Sequence, residues 1–367
     1  MKLSCSSQQL YAGLQMVGSI SATASTNPIL QAVKIETVKE GLLLSVTDLE
    51  VGIQYLIPEV EVVSPGKAVI PEERIAGVLK DWGEEKVQIE VEGTTSRISG
   101  KGCSIKLIGF DPEEFPVIPS FEEKDYFEIE GPGLAEMVRR TSFACASERL
   151  RHTMTGVLLA IEGSTAKMVA TDGRRLAVAK QRISNPHKVK SNSIIPPKAA
   201  HQLPRLVAEE KEGVKVKLEE AHMLVKTSKA LLCSQLLEGQ YPDYTSAIPA
   251  ENDKRLEIAP EVLAAAIRRV AFITTEERHV IRIGLKKDTL LVRTETPEVG
   301  EGSIELPVDY KGSELEIGFN PDFLLDGLKG IGKEPVKMEF KDPNSAAVLK
   351  GGQDYLYVAM PIRLTEA

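Results

Sequence analysis

The sequence has few residues suited to redox chemistry. It contains 4 cysteines in 367 residues, and none of them forms a Cys-x-x-Cys pair or a regular disulfide framework. We therefore expect reduced thiols. Cys145 could be a nucleophile, but its setting in Phe143-Ala144-Cys145-Ala146 favours a small buried hydrophobic side chain. No catalytic cysteine is predicted.

Long apolar runs are also missing. No stretch of about 18 apolar residues could form a membrane-spanning helix. The start of the chain, from Met1 to Gln8, becomes polar too early for a signal peptide. The composition, 42% hydrophobic and 27% charged, is ordinary for a globular protein. The sequence predicts a cytoplasmic protein without membrane contact.

Signatures of catalysis and cofactor binding are absent as well. The sequence has no Gly-x-Gly-x-x-Gly loop and no Gly-x-Ser-x-Gly elbow, and its 5 histidines are scattered without metal-ligand spacing. Adjacent acids such as Glu84-Glu85 lie in polar stretches and are typical of a solvated surface. We expect no metal, no cofactor and no enzymatic activity; an enzyme with an unrecognised site is the weakest alternative.

What the sequence does contain is an internal repeat. Three strand-like segments resemble one another at intervals of about 123 residues, which is the size of a domain. Their threonines, Thr47, Thr171 and Thr294, occupy equivalent places. The aligned segments are Leu42 to Glu50, Ala166 to Arg174 and Thr289 to Pro297.

The repeat extends to whole domains. Each copy begins with a short strand, a cap and a helix, and a second strand-and-helix unit follows later in the copy. Apolar residues recur at helical spacing; the predicted buried positions are Leu10, Leu14 and Val17, then Leu134, Met137 and Val138, then Val262, Leu263, Ala266, Ile267 and Val270. Domains are predicted at about 1 to 124, 125 to 252 and 253 to 367. Two helices and roughly eight strands per domain predict an α+β fold with antiparallel sheets.

The charge distribution allows two interpretations. The formal net charge of −8 argues against non-specific DNA binding by the whole surface. Cations nevertheless recur on the predicted helices. If these helices lined a channel, the cations would meet phosphates; alternatively they are simply exposed helix ends. The cations concerned are Arg139, Arg140, Lys198, Arg205, Arg268, Arg269 and Lys329.

Several motifs, in order along the whole chain, resemble one family. The sequence resembles the bacterial DNA sliding clamps, the beta subunits of the replicative DNA polymerase III. The motifs are Asn27-Pro28-Ile29-Leu30, Thr47-Asp48-Leu49-Glu50, Ala170 to Leu176, Tyr241-Pro242-Asp243-Tyr244, Ile317-Gly318-Phe319-Asn320 and Met360 to Leu364.

This resemblance implies a head-to-tail homodimer that closes a ring of six similar domains around duplex DNA. Helices would line the hole, and topology rather than affinity would hold the DNA without regard to sequence. The ring would tether the replicative polymerase for processivity and bind short peptides of the polymerase, the clamp loader and repair polymerases. The alternative is a repeat-built oligomeric adaptor that does not encircle DNA.

The resemblance also implies three sets of site residues. The peptide-binding pocket would comprise Arg151, Met154, Thr171, Gly173, Arg174, Arg175, Leu176, Pro242, Phe323, Val358, Met360, Pro361 and Arg363. The DNA-facing residues would be Lys80, Arg139, Arg140, Lys198, Arg205, Arg268 and Arg269. The dimer interface would contain Arg74, Arg97, Ile105, Lys106, Leu107, Phe272, Ile273, Glu298, Glu301 and Glu305.

The chain departs from the family pattern at several positions. Arg174 stands where the family commonly has histidine, so we expect an altered peptide preference. The loop before Pro28 has Ala24 where a basic residue is frequent, which places DNA contacts there in doubt. Further departures are the loop Ser147 to His152, the residues Ser246, Ala247 and Asn344, and the tail Thr365 to Ala367 beyond the usual terminal leucine.

Overall fold

The computed structural model describes residues 1–20, 26–147, 149–208 and 210–364, with the backbone alone for 149–151. Within these ranges the same order of elements occurs three times: a strand, a helix, four strands, a helix and three strands. The first copy has one additional strand, β5 (Glu61–Ser64). The prediction of an α+β fold with three similar domains is confirmed, with nine strands instead of eight in the first.

Each copy contributes two helices. They are α1 (Ser7–Gly18), α2 (Glu72–Lys80), α3 (Gly131–Thr141), α4 (Pro197–Val207), α5 (Pro260–Ala271) and α6 (Pro321–Lys329). None of the helices in the described ranges has the length and apolar character needed to cross a membrane.

The strands follow the same threefold division. The first copy has β1 (Lys2–Ser6), β2 (Ala32–Val38), β3 (Gly41–Thr47), β4 (Val51–Ile57), β5, β6 (Lys67–Pro71), β7 (Lys86–Glu92), β8 (Thr95–Gly100) and β9 (Cys103–Ile108). The second has β10 (Tyr126–Ile129), β11 (Val157–Glu162), β12 (Thr165–Thr171), β13 (Arg175–Arg182), β14 (Ser191–Ile195), β15 (Val214–Leu218), β16 (His222–Lys226) and β17 (Ala230–Gln235). The third has β18 (Lys254–Ile258), β19 (Ile281–Lys286), β20 (Thr289–Thr296), β21 (Gly300–Pro307), β22 (Leu315–Phe319), β23 (Val336–Phe340), β24 (Ala347–Gly351) and β25 (Tyr355–Ala359).

Helix α5 shows how apolar spacing produces a buried face. Leu263, Ile267 and Val270 lie three or four residues apart and are buried, because such residues project from one side of a helix. The prediction that Val262 shares this face is wrong: it is 47% exposed. One residue corresponds to about 100° of rotation, which turns Val262 away from its buried neighbour.

Residue contacts divide the chain into two units. The first comprises Met1–Pro132, Ser184–Val189 and Arg205–Leu236. It contains a five-stranded sheet in the order β5-β1-β7-β8-β9 and an eight-stranded sheet in the order β10-β15-β16-β17-β4-β3-β2-β6. Within the larger sheet, strands of the second and first copies pair at β17 and β4, where Cys233 lies opposite Gly52.

The second unit comprises Gly133–Ile183, Lys190–Pro204 and Leu237–Ala367. Its sheets have the orders β14-β11-β12-β13-β25-β24-β23-β18 and β21-β20-β19-β22. Strands of the second and third copies pair at β13 and β25. All of these pairings are antiparallel, as predicted. The two predicted boundaries between the three domains stay predictions.

Candidate functional site

The turn between β12 and β13 carries several residues expected in the peptide pocket. Thr171 Oγ1 donates to the carbonyl of Arg175 at 2.6 Å and accepts the amide of Gly173 at 3.1 Å. Asp172 Oδ1 accepts the amides of Arg174 and Arg175 at 2.8 and 3.0 Å. Gly173 has a φ of 86°, which glycine adopts without a Cβ clash. Asp172 and Gly173 therefore lie in the hairpin turn that joins β12 to β13.

The equivalent threonines of the other copies differ from Thr171. Thr47 forms the same pair of hydrogen bonds, but the left-handed position is taken by Leu49, with a φ of 78°. A leucine there costs about 1 to 2 kcal/mol. Thr294 forms no such turn: it donates to the carbonyl of Val280 at 2.9 Å, and β20 continues beyond it. Only the second copy combines the turn with glycine.

Arg175 ties this turn to α6. Its Nε donates to Asp172 Oδ2 at 3.1 Å, its Nη1 to Asp326 Oδ2 at 2.8 Å and its Nη2 to the carbonyl of Phe143 at 2.8 Å. The guanidinium also lies over the rings of Phe323 and Phe143, 4.6 and 5.6 Å from their centroids. Burial opposes its charge, but the two carboxylates outweigh this and raise its pKa. Arg175 therefore positions the turn, and its charge is neutralised within the protein.

The last strand lies beside the same turn. Leu176 of β13 lies opposite Val358 of β25, and both are buried in one hydrophobic cluster. The amide of Met360 donates to the carbonyl of Arg174 at 2.9 Å. Met360 is 44% exposed, although a large apolar side chain usually gains by burial. The apolar side chain of Met360 is thus exposed to solvent next to the turn.

The remaining pocket residues lie outside the turn and the last strand. The hydroxyl of Tyr241, the residue before Pro242, accepts the amide of Thr171 at 3.1 Å. Met154 accepts, through its carbonyl, the amide of Ala146 at 2.9 Å. The side chain of Arg151 lies outside the described residues. So do Ala24 and the tail Thr365 to Ala367.

A cavity of about 500 Å³ opens between the turn and α6. Its lining includes Phe143, Cys145, Asp172, Arg174, Arg175 and Phe323. Sequence reasoning missed Phe143 and Asp172 as site residues, and also Asp326 and Tyr241. Phe143 was considered only as a neighbour of Cys145, and nothing in the sequence connected Asp326 with Arg175. Ser246, Ala247 and Asn344 are exposed and do not line this cavity.

The thiols should differ sharply in reactivity. Burial raises the pKa of Cys5 and Cys145 to about 12 and that of Cys233 to about 11, whereas Cys103 is exposed. A higher pKa lowers the thiolate fraction, and thiolate is the reactive form. At pH 8 we expect Ellman's reagent to titrate one thiol rapidly in the native chain and none rapidly in Cys103→Ser. Rapid labelling of Cys145, detected by mass spectrometry, would contradict this assignment.

In the ranges that the structure describes, no group of three or more His, Cys, Asp or Glu side chains is arranged to hold a metal ion.

Most cations expected to face DNA lie in the last turns of helices. Lys80, Arg139, Arg205, Arg268 and Arg269 are exposed there, while Arg140 and Lys198 are partly buried. Arg139 and Arg140 both contact Glu136, at 3.0 and 2.9 Å. Cations in a last turn also stabilise a helix through its dipole. These positions fit cations that line a DNA channel, and they equally fit exposed helix ends. The DNA contacts of these residues stay predictions.

The residues expected at the dimer interface lie on or near two sheet edges. In the described residues β9, which carries Ile105, Lys106 and Leu107, pairs only with β8, and β21 pairs only with β20. Phe272 follows α5 and is 87% exposed. Ile273 packs against Gly302 of β21, where an added Cβ would meet Ile273 Cδ1 at 2.5 Å, so Ile273 borders this edge. Arg74, Glu298 and Glu305 are also exposed.

Each edge carries a cross-strand pair of like charges. Arg97 lies opposite Lys106 in β8 and β9, and Glu295 lies opposite Glu301 in β20 and β21. Like charges directly opposite one another destabilise a sheet by roughly 0.2 to 1 kcal/mol. The two edges have opposite signs, so pairing the positive edge with the negative one would relieve both repulsions.

Family models match nearly the entire chain. The N-terminal domain of the DNA polymerase III beta subunit matches residues 1–119, the central domain 128–243 and the C-terminal domain 245–363. The beta sliding clamp of Pseudomonas aeruginosa is 31% identical over 354 residues, covering 96% of each chain. The beta sliding clamp of Chlamydia pneumoniae is 30% identical over 365 residues, covering 99% of each.

Solved structures agree with the sequence comparisons. The DNA polymerase sliding clamp of Bacillus subtilis superimposes with a TM-score of 0.95 at 27% identity and covers 100% of both chains. The sliding clamp of Pseudomonas aeruginosa bound to griselimycin superimposes with a TM-score of 0.94 at 30% identity, covering 99% of this chain and 100% of the other. With three matching domains in the same order, the chain belongs to the DNA polymerase III beta subunit family, the family of the beta sliding clamps.

Proposed function

We propose that this chain is a DNA sliding clamp: two copies close head to tail into a ring around duplex DNA and tether the replicative polymerase. The observation that carries the proposal is the opposite charge of the two sheet edges, β9 and β21. A contact between different surfaces repeats until it closes, and three similar domains from each of two copies would complete a ring. Opposite charges favour this contact over like-with-like pairing.

The net charge of −8 is compatible with this function. A threaded ring is held by topology, so its phosphate contacts can stay weak and independent of sequence, which permits sliding. The helix-end cations, among them Arg205, Arg268 and Arg269, would supply those contacts. The chain acts without catalysis, as a processivity factor in the cytoplasm.

The segment from Met360 to Arg363 and the turn at Thr171 form the proposed docking site for short peptides of the polymerase, the clamp loader and repair polymerases. The exposed side chain of Met360, whose backbone is bonded to Arg174, supports this docking site. Methionine adapts its shape to different ligand side chains. The Pseudomonas aeruginosa relative was solved with griselimycin bound, which is consistent with a ligand site in this family.

Retention on DNA of different topology tests the ring. The purified chain is loaded onto nicked circular duplex by a bacterial clamp loader, and the bound fraction is followed by gel filtration before and after one restriction cut. We expect retention on the circle and loss within minutes of linearisation, because a free end lets a ring slide off. Equal loss from circular and linear DNA would instead identify an adaptor that ignores topology.

A further inference from the structure

The turn between β3 and β4 has the same backbone hydrogen bonds as the turn between β12 and β13. Thr47 Oγ1 donates to the carbonyl of Val51 at 3.2 Å and accepts the amide of Leu49 at 3.1 Å. Asp48 Oδ1 accepts the amides of Glu50 and Val51 at 3.1 and 2.8 Å. All four bonds have counterparts in the second copy. The first copy thus carries the same scaffold with different side chains.

A neighbouring segment holds both turns in the same way. The amide of Gln235, at the end of β17, donates to the carbonyl of Glu50 at 2.8 Å. In the second copy the amide of Met360 donates to the carbonyl of Arg174 at 2.9 Å. Gln235 Nε2 also donates to the carbonyl of Leu49 at 3.0 Å. The side chains of the first turn therefore stand on a held backbone, which lowers the ordering cost of binding.

Leu49 is an apolar side chain that this turn exposes to solvent. It is 56% exposed, and its φ of 78° is one that leucine adopts only with strain. Glycine, which the second copy has as Gly173, forms such a turn without this strain. Neither burial nor backbone geometry therefore accounts for a leucine at this position.

A second exposed apolar residue lies beside the turn. Ile118 packs against Gly52 of β4, where an added Cβ would meet Ile118 Cγ1 at 3.1 Å. Gly52 pairs with Thr47 at the base of the turn. Val117, the residue before Ile118, is 93% exposed. The first unit therefore presents two exposed apolar side chains, Leu49 and Val117, near the same turn.

The segments around this turn carry acidic residues and no basic ones. Residues 47–52, 110–118 and 233–236 contain no lysine and no arginine. Their acids are Asp48, Glu50, Asp111, Glu113 and Glu114. Lys67 of β6 forms an ion pair with Glu113, which leaves an excess of negative charge. Such a surface attracts a cationic partner and repels the phosphates of nucleic acid.

We propose that the turn between β3 and β4 is a second docking site, which takes a peptide segment with lysine or arginine beside apolar residues. Leu49 and Val117 pack against the apolar residues, and Glu50 pairs with the cation. Equivalent positions of the two turns have opposite charges, Glu50 in the first and Arg174 in the second, so the two sites favour different partners. The inference goes beyond the proposed docking at Thr171, and its test does not require binding there.

A random peptide library displayed on phage tests this site on the full-length chain. We expect one group of selected peptides to bind the parent but not Leu49→Gly, and to carry lysine or arginine beside apolar residues. Fluorescence anisotropy of a synthetic member should show about tenfold weaker binding to Leu49→Gly, the scale of one lost leucine contact. Glu50→Gln should weaken binding about threefold, the scale of an exposed ion pair, and added salt should also weaken it.

Glu85→Gln is the matched control, because it removes an exposed acid of the same unit just before β7 and should leave binding unchanged. Leu49→Gly should unfold at the temperature of the parent or higher, because glycine fits the left-handed position. A lower unfolding temperature with unchanged peptide binding would make Leu49 a purely structural residue and overturn the proposal.

Two outcomes of the selection would also overturn it: no selected peptide depends on Leu49, or the dependent peptides are acidic or uncharged. Self-association of the parent that is lost in Leu49→Gly, measured by sedimentation velocity, would identify a second copy as the occupant and refute the peptide site. Peptides that bind the turn at Thr171 should still bind Leu49→Gly. The same selection therefore tests the first docking site separately.

Discussion

Replacing Phe272 and Ile273 by alanine should convert the dimer into monomers. Phe272 is 87% exposed in the single chain, and burying a large apolar side chain stabilises a contact by about 1.5 to 3 kcal/mol. Losing about 3 kcal/mol weakens association about 100-fold. Sedimentation velocity over a dilution series should show dissociation at correspondingly higher concentrations than in the parent. The double variant should also slip from circular DNA.

Val262→Ala is the control for this experiment. Val262 is an apolar residue of the adjoining α5 and is 47% exposed, but it is not part of the proposed interface. Its replacement should leave sedimentation unchanged. A double variant that sediments like Val262→Ala would show that the apolar residues after α5 do not close the ring.

Replacing Arg175 by alanine should destabilise the second unit strongly. The change leaves the carboxylates of Asp172 and Asp326 without their common cation, in an environment where the side chains are only 19% and 25% exposed. Removing one partner of a buried ion pair costs about 3 to 5 kcal/mol. Urea unfolding should show this loss, and peptide binding should disappear because the turn loses its connection to α6.

The neighbouring Arg174→Ala serves as the control, since its exposed side chain has no partner among the described residues and should change the free energy of unfolding by no more than about 0.5 kcal/mol. Arg175→Lys should be intermediate: it keeps a charge but loses the planar fork that reaches three acceptors at once. Equal stability of Arg175→Ala and Arg174→Ala would show that the contacts of Arg175 with Asp172 and Asp326 do not stabilise the second unit.

Much of the fold could be predicted because local patterns repeat three times. The spacing of Leu10, Leu14 and Val17 predicted α1 with its buried face, and each of these residues is buried. Polar and apolar residues alternate along β7 and its counterparts β15 and β23, which is a local pattern typical of strands. The exception at Val262 shows the limit of such patterns: a run of apolar residues does not identify which of them lies off the buried face.

The site could be predicted only in part, and the predicted part depended on family motifs. Arg175 and Asp326 are separated by 151 positions, and Thr171 and Tyr241 by 70. No local periodicity connects such residues. Their contacts follow from the pairing of β13 with β25 and the packing around it, which a single sequence does not specify.

The sequence by itself determined the threefold repeat, the positions of helices and strands, and the opposite charges near β9 and β21, because these follow from local spacing and residue type. Tertiary structure decided how the Thr171 copy, which the family resemblance assigned to the proposed site, differs from the other two copies of the repeated threonine segment. At Thr171 the turn has Gly173 in the left-handed region, a hydrogen bond from the Thr171 amide to the Tyr241 hydroxyl, and an ion pair between Arg175 and Asp326. The physical reason is that distant strands must pair before these side chains can meet.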